Sequence, residues 1–112
     1  MNRRETGAEY EQIAATFLED AGYQILERNY YTAFGEIDLI AKDQTTLVFI
    51  EVKYRTSDKT GFPEESVTPG KQRRIRKCAQ YYLYQHNFTT VSCRFDVIAI
   101  LNQRIRHIKN AF

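Results

Sequence analysis

Asp38, Glu51 and Lys53 stand in a stretch otherwise built from β-branched and aromatic residues. Residues 35–55 read Gly-Glu-Ile-Asp-Leu-Ile-Ala, a polar break, then Leu-Val-Phe-Ile-Glu-Val-Lys-Tyr-Arg. This is the pattern of two β-strands joined by a turn at 42–46. If Lys42 lies opposite Leu47, Asp38 falls opposite Glu51 on the same face. Direct cross-strand partners have Cβ atoms roughly 4.5–5.5 Å apart, and like charges there repel. Two facing carboxylates over an apolar layer need a cation. Lys53 supplies part of it, and a divalent metal with oxygen ligands would supply the rest. Alternating Glu and Lys also describe an ordinary solvated face. Against that, Val48, Ile50 and Val52 keep one face of the second strand apolar, and Leu47 and Phe49 begin the other. Charge confined to one end marks a central strand rather than a solvated edge.

The surrounding elements must position these groups. Tyr10, Ile13, Ala14, Phe17, Leu18 and Ala21 recur at helical spacing and predict a helix over 7–21. Thr6 and Glu9 form a capping box at its start, and Gly22 with Tyr23 beyond it forms a stop. Glu9 also lies four residues before Ile13, on the side that faces the sheet, so capping and a role among the acids both stay open. Residues 23–31 predict a strand, whose Arg28 and Asn29 are either phosphate contacts or plain surface. Gly35 permits a φ-positive step before the acid-bearing strand. Glu36 shares the parity of Asp38, as a further ligand or a peripheral residue. Residues 56–68 form a long polar loop, a flap over the site or a plain mobile segment. Thr68 then caps a second helix with Pro69 in its first turn, running to about His86. Ile75, Ala79, Tyr82 and Leu83 form its buried stripe, and Lys71 projects at the end that favours anions. Residues 91–101 and 104–108 predict the last two strands. Asp96 reads as a structural hydrogen-bond partner of the neighbouring strand. Neither His86 nor His107 has a partner at metal-ligand spacing. The order α-β-β-β-α-β-β predicts an α/β fold, a mixed central β-sheet flanked by two helices.

At 112 residues, the chain predicts a single domain, 1–112, with one modest core. No apolar run reaches membrane-spanning length and the first residues lack a signal-peptide core, so no membrane partner is expected. Cys78 and Cys93 have neither zinc-ligand nor disulfide spacing, which makes a reduced, cytoplasmic setting the expectation. The net charge of +2 hides a split. Residues 1–69 hold seven Lys or Arg against thirteen Asp or Glu, net −6, and residues 70–112 hold nine against one, net +8. A polyanion-binding surface would come from the second part and metal-holding carboxylates from the first.

The blocks Gly35-Glu36-Ile37-Asp38-Leu39-Ile40 and Phe49-Ile50-Glu51-Val52-Lys53-Tyr54-Arg55 resemble the bacterial YraN-like family of predicted endonucleases. Within them, Asp38 with Glu51-Val52-Lys53 resembles the PD-(D/E)xK nuclease signature, Ile37 standing where the superfamily name has proline. The likeness runs from the first helix through Arg94-Phe95-Asp96-Val97. It implies a restriction-endonuclease-like core, distantly related to archaeal Holliday junction resolvases, and metal-dependent hydrolysis of DNA, branched or junction DNA included. Asp38 and Glu51, joined by Glu9 and the main-chain oxygen of Val52, would hold Mg²⁺ or Mn²⁺. Lys53 would orient the attacking water or stabilise charge on the phosphate, and Lys71 would hold a phosphate. Arg73, Arg74, Arg76, Lys77 and Arg55 would face nucleic acid. Related resolvases act as dimers, so a homodimer is the expectation the likeness carries, although the chain shows no clear dimer seam. Two competing readings stay open. One is a DNA-binding module that cuts nothing, or acts only with a partner. The other is a structural cluster in which the acids pair with Lys53 and Arg55, which predicts large loss of stability on single removal.

Overall fold

The structure is a computed structural model describing residues 3–56, 61–63 and 66–112, with the backbone alone for residues 3–6. Five segments with alternating apolar residues assemble into one sheet in the order β1 (Gln24–Thr32), β2 (Gly35–Asp43), β3 (Thr46–Arg55), β4 (Ser92–Leu101), β5 (Arg104–Ile108). All neighbours are antiparallel except β3 and β4, which are parallel. A parallel pair cannot be joined by a tight turn, and α2 (Pro69–Gln85) lies in that connection. The mixed sheet and the order α-β-β-β-α-β-β are those predicted.

Each helix covers one face. On one side α1 (Arg3–Asp20) packs Ala14, Ala15 and Leu18 onto Leu39, Ala41, Val48, Ile50, Val52, Ile98 and Ile100. On the other, α2 packs Ile75, Cys78, Ala79 and Tyr82 onto Ile37, Ile40, Leu47, Phe49 and Val97. Each fully buried aliphatic side chain contributes roughly 1.5–3 kcal/mol, so both layers are needed to hold a sheet this small. The stacked rings of Tyr10 and Tyr54, 4.5 Å apart, fix α1 over the end of β3.

The signals at helix ends act as expected, with one exception. Thr68 accepts from the Lys71 amide at 3.2 Å, and Pro69 begins α2. At the end of α1 the Tyr23 amide reaches Leu18 O and the Gly22 amide reaches Glu19 O, with Gly22 at φ +95°. Those two bonds satisfy carbonyls that the last turn would leave open. The exception is the start of α1, which begins at Arg3 rather than at a cap on Thr6, so Thr6 and Glu9 lie inside the helix. Of the predicted α1 stripe, Ile13 is 40 % exposed and Ala21 is exposed too, whereas Ala15 is fully buried. The buried stripe is therefore turned away from the Ile13 side.

The predicted loop 56–68 lies in part outside the described residues, at 57–60 and 64–65. Its described part is anchored. Phe62 lies under the guanidinium groups of Arg104 and Arg106, Pro63 and Val67 are buried, and Ser66 O accepts from Lys53 Nζ.

Candidate metal centre

The hairpin of β2 and β3 has the register expected from Lys42 opposite Leu47, and its ladder runs from Asp43 and Thr46 to Leu39 and Ile50. There it stops, one step short of Asp38 and Glu51. Ile37 and Ile40, three residues apart, pack on the same α2-side cluster, while Leu39 and Ala41 face α1. Period-two alternation is thus broken at Asp38. Instead of a backbone bond, the Asp38 carboxylate accepts from the Val52 amide at 2.8 Å. The side chain takes the place of a ladder acceptor where the strands part.

Three carboxylates meet at this break. Oxygens of Glu11, Glu36 and Asp38 lie within 4.8 Å of one another. Gly35 prepares the turn into β2 with φ +146°, a backbone that L side chains rarely adopt. Glu11 comes from α1 and is held by Asn29, whose Nδ2 donates to Oε1 at 2.8 Å. Burial and then the charge of Glu36 raise the Glu11 pKa, against the Asn29 bond. Asp38 is pushed up to about 8, by burial first and then by the charge of Glu51, with Glu11 and Glu36 adding. The Val52 amide opposes that rise without offsetting it. The donor set is all oxygen, with no imidazole or thiolate, which suits a hard divalent cation such as Mg²⁺ or Mn²⁺. A carboxyl held neutral by burial and by acidic neighbours is a situation that an added cation relieves. The residues fit a metal.

Glu51 belongs to the other side of the same strand end. It is 8 % exposed, on the α2 face, and Lys71 Nζ lies 2.6 Å from its Oε1. Among the described residues, Lys53 Nζ donates to Ser66 O, at 2.5 Å. Two open hollows flank the acids. One, of about 560 Å³, is bordered by Glu51, Lys53, Arg55, Pro63 and Lys71. The other, of about 440 Å³, is bordered by Glu11, Asn29, Tyr31 and Glu36. A third, of about 550 Å³, opens beside Lys42, Thr45 and His86 at the opposite end of the hairpin.

The predicted residues divide accordingly. Asp38, Glu51, Lys53 and Lys71 come together at one end of the sheet. Glu9 does not: it is exposed, and the helix acid that reaches Asp38 is Glu11. The reason is the turn of the α1 stripe. Glu11 stands three, four and seven residues before Ala14, Ala15 and Leu18, the small or apolar residues that touch the sheet, so it shares their face. Counting Ala15 in place of Ile13 would have found it. Val52, whose carbonyl oxygen the sequence put forward, also touches the cluster through its N–H, which donates to Asp38. Glu36, open between two roles in the sequence, joins the cluster. Arg28 donates to Gln12 at 2.6 Å, an intramolecular use. Arg73 and Arg74 are exposed near the start of α2, whereas Arg76 lies over the Phe95 and Phe112 rings and Lys77 over Phe34.

Comparison with known proteins adds the kinship. Residues 10–100 match the model of the uncharacterised protein family UPF0102. The chain belongs to that family. A UPF0102 protein of Lachnoclostridium phytofermentans is 50 % identical over 113 residues, covering 100 % of this chain and 96 % of its own. A UPF0102 protein of Thermodesulfovibrio yellowstonii is 51 % identical over 112 residues, covering 100 % and 99 %. One of Syntrophus aciditrophicus is 50 % identical over 111 residues, covering 96 % and 87 %. The family-model match spans Glu11, Asp38, Glu51 and Lys71. No described helix is long and apolar enough to cross a membrane.

Proposed function

We propose that this UPF0102 chain is a Mg²⁺- or Mn²⁺-dependent endonuclease of the PD-(D/E)xK type that hydrolyses DNA phosphodiester bonds, branched DNA among its substrates. The observation that carries the reading is the meeting of Glu11, Glu36 and Asp38 within 4.8 Å, at a strand break beside Glu51 and two lysines. A divalent ion bound there would lower the pKa of a bound water and offset charge on the scissile phosphate.

The chain's own groups take the remaining tasks. The Val52 amide holds the Asp38 carboxylate in one orientation. Asn29 does the same for Glu11. Lys53, in the open hollow beside Glu51, is placed to stabilise charge on phosphate oxygens or to orient water. Lys71 lies in the first turn of α2, and its ion pair with Glu51 keeps the ammonium beside the acids until phosphate competes for it. No covalent nucleophile is required.

A second reading keeps DNA binding and drops cleavage. It is favoured by the engagement of both lysines, Lys71 on Glu51 and Lys53 on Ser66 O, in the structure as it stands. The readings separate in a cleavage assay on linear, flapped and four-way DNA with Mg²⁺, Mn²⁺ or EDTA. Native protein is compared with Asp38→Ala and Lys53→Ala, purified identically. The nuclease predicts metal-dependent cutting that both substitutions abolish while the fold, read by circular dichroism, persists. Tight binding without cutting under any metal favours the binding module. Cutting that survives Asp38→Ala defeats the assigned site.

A further inference from the structure

Two strands beyond Lys53 and Arg55, β5 carries a matching pair of cations. Lys53 is level with Ala99 of β4, and Ala99 is paired with Arg106 of β5. Arg55 is level with Leu101, and Leu101 with Arg104. Residues level across a sheet share a face. Here it is the α2 face, on which Ile108 of β5, two residues along, packs with Val97. Adjacent strands are roughly 4.8 Å apart, so the two cationic pairs stand about 10 Å from each other. Ala99 and Leu101 between them are buried, and add no charge.

Phe62 lies over the β5 pair, its ring centroid 4.0 Å from the Arg106 guanidinium carbon and 5.4 Å from that of Arg104. A guanidinium stacked on a ring keeps its N–H donors in its own plane, pointing past the ring edge. Arg55, Arg104 and Arg106 are all exposed. The hollow beside Glu51, Lys53 and Arg55 is bordered by Pro63, the residue after Phe62, so the β5 pair lies next to the groove that Glu51 borders. The acidic side of the sheet end, at β2 and α1, is thus continued on the other side by four cations in two level rows.

We propose that Arg104 and Arg106, oriented by Phe62, form with Lys53 and Arg55 a track for the phosphate backbone of DNA, leading across the sheet end into the carboxylate cluster. The track rests on the reading of DNA as substrate and extends it to residues outside the signature and outside α2. Contacts to phosphate position the nucleic acid and carry no sequence information, so binding through them is general and strongly salt-dependent.

The test is fluorescence anisotropy with a labelled DNA duplex in EDTA, between 50 and 200 mM NaCl, so that cleavage plays no part. Arg104→Gln/Arg106→Gln is expected to weaken binding about tenfold and to make the log–log salt slope shallower by roughly 1.8, about 0.9 for each phosphate that is no longer neutralised. Lys42→Gln/Lys109→Gln, an equal loss of charge elsewhere, should stay within about twofold of native. Arg104→Lys/Arg106→Lys keeps the charge and should retain most of the slope, which guards against misreading a folding defect. Native-like binding by the Gln pair overturns the track while the DNA reading stands. So does an equal loss in the control pair, or a Lys pair as weak as the Gln pair. If the native protein shows no salt-dependent DNA binding, the DNA reading falls, and the track with it.

Discussion

Asp38 is the residue on which the site's electrostatics turn. Its folded pKa, about 8, stands far above the ordinary 3.8 because burial and three acidic neighbours disfavour its charge. Between the two values the unfolded chain has lost the proton and the folded chain still holds it, so stability falls as pH rises, at most by about 1.4 kcal/mol per pH unit. Urea melts in EDTA from pH 5 to 8.5 should show this decline, and Asp38→Asn should flatten it, since an amide can still accept from Val52. The same measurement distinguishes two helix acids. Glu11→Gln removes one of the charges that hold Asp38 up and should lower its midpoint in a carboxyl NMR titration. Glu9→Gln should leave that midpoint where it is; a shift there equal to that of Glu11→Gln would contradict the placement of α1. The distinction was hard to read from the sequence. Ile13 looks like a core residue by composition, and with it the stripe points towards Glu9. The helix instead packs through Ala14 and Ala15, whose small side chains let it approach the sheet closely, and Ile13 is left on the rim.

At the scale of elements, the strands were the most legible part of the chain. The register of β2 on β3 assumed from the sequence, Lys42 opposite Leu47, is the one observed, and it sets apolar residues of both strands on both covered faces. The break at Asp38 was not legible, since strict alternation is what the pattern assumes and a side chain replacing a ladder acceptor leaves no periodic trace. Asp96 shows the opposite case. Read from sequence as a structural partner of the neighbouring strand, it is fully buried and bound four ways: by Arg94 Nε at 3.0 Å and Nη2 at 3.1 Å, by His107 Nε2 at 2.7 Å and by the Asn110 amide at 2.9 Å. Arg94 extends the network to Tyr23 and Asp43, so one carboxylate joins β4 to β5 and to the start of β1. Burial alone would raise its pKa, but the bonds from His107 and Arg94 outweigh burial and hold it below 3.8. Its stabilisation is therefore complete above pH 4 and is lost as pH falls through the depressed value. Asp96→Ala would strand the Arg94 and His107 donors and should cost about 3–5 kcal/mol at pH 7 in a denaturant melt. A loss under about 1 kcal/mol would mean that water takes over the carboxylate's bonds.

For the whole molecule, the division of charge along the chain becomes a division in space. The acid-rich first part supplies Glu11, Glu36, Asp38 and Glu51, and the basic remainder supplies Lys71 and the arginines of α2 and β5. α1 delivers an acid from one face and α2 a cation from the other, so the site exists only when both layers are packed on the sheet. Anything that binds the assembled site and not the open chain must then stabilise the whole fold. Mn²⁺ is expected to do so with a dependence on pH set by Asp38. Below about pH 8 the ion has to displace the Asp38 proton, so its apparent affinity should fall towards tenfold for each pH unit. At a fixed Mn²⁺ concentration, the rise in melting temperature should thus be largest at pH 8 and small at pH 6, and a hundredfold excess over Kd would add about 2.7 kcal/mol. Thermal melts of the native chain, Asp38→Asn and Glu11→Gln across that range decide the matter. Loss of the rise in both variants places the ion at the carboxylate cluster. A rise that persists in Asp38→Asn, or that does not change with pH, puts the ion elsewhere and leaves the raised carboxyl as a cost that the fold bears for a different reason.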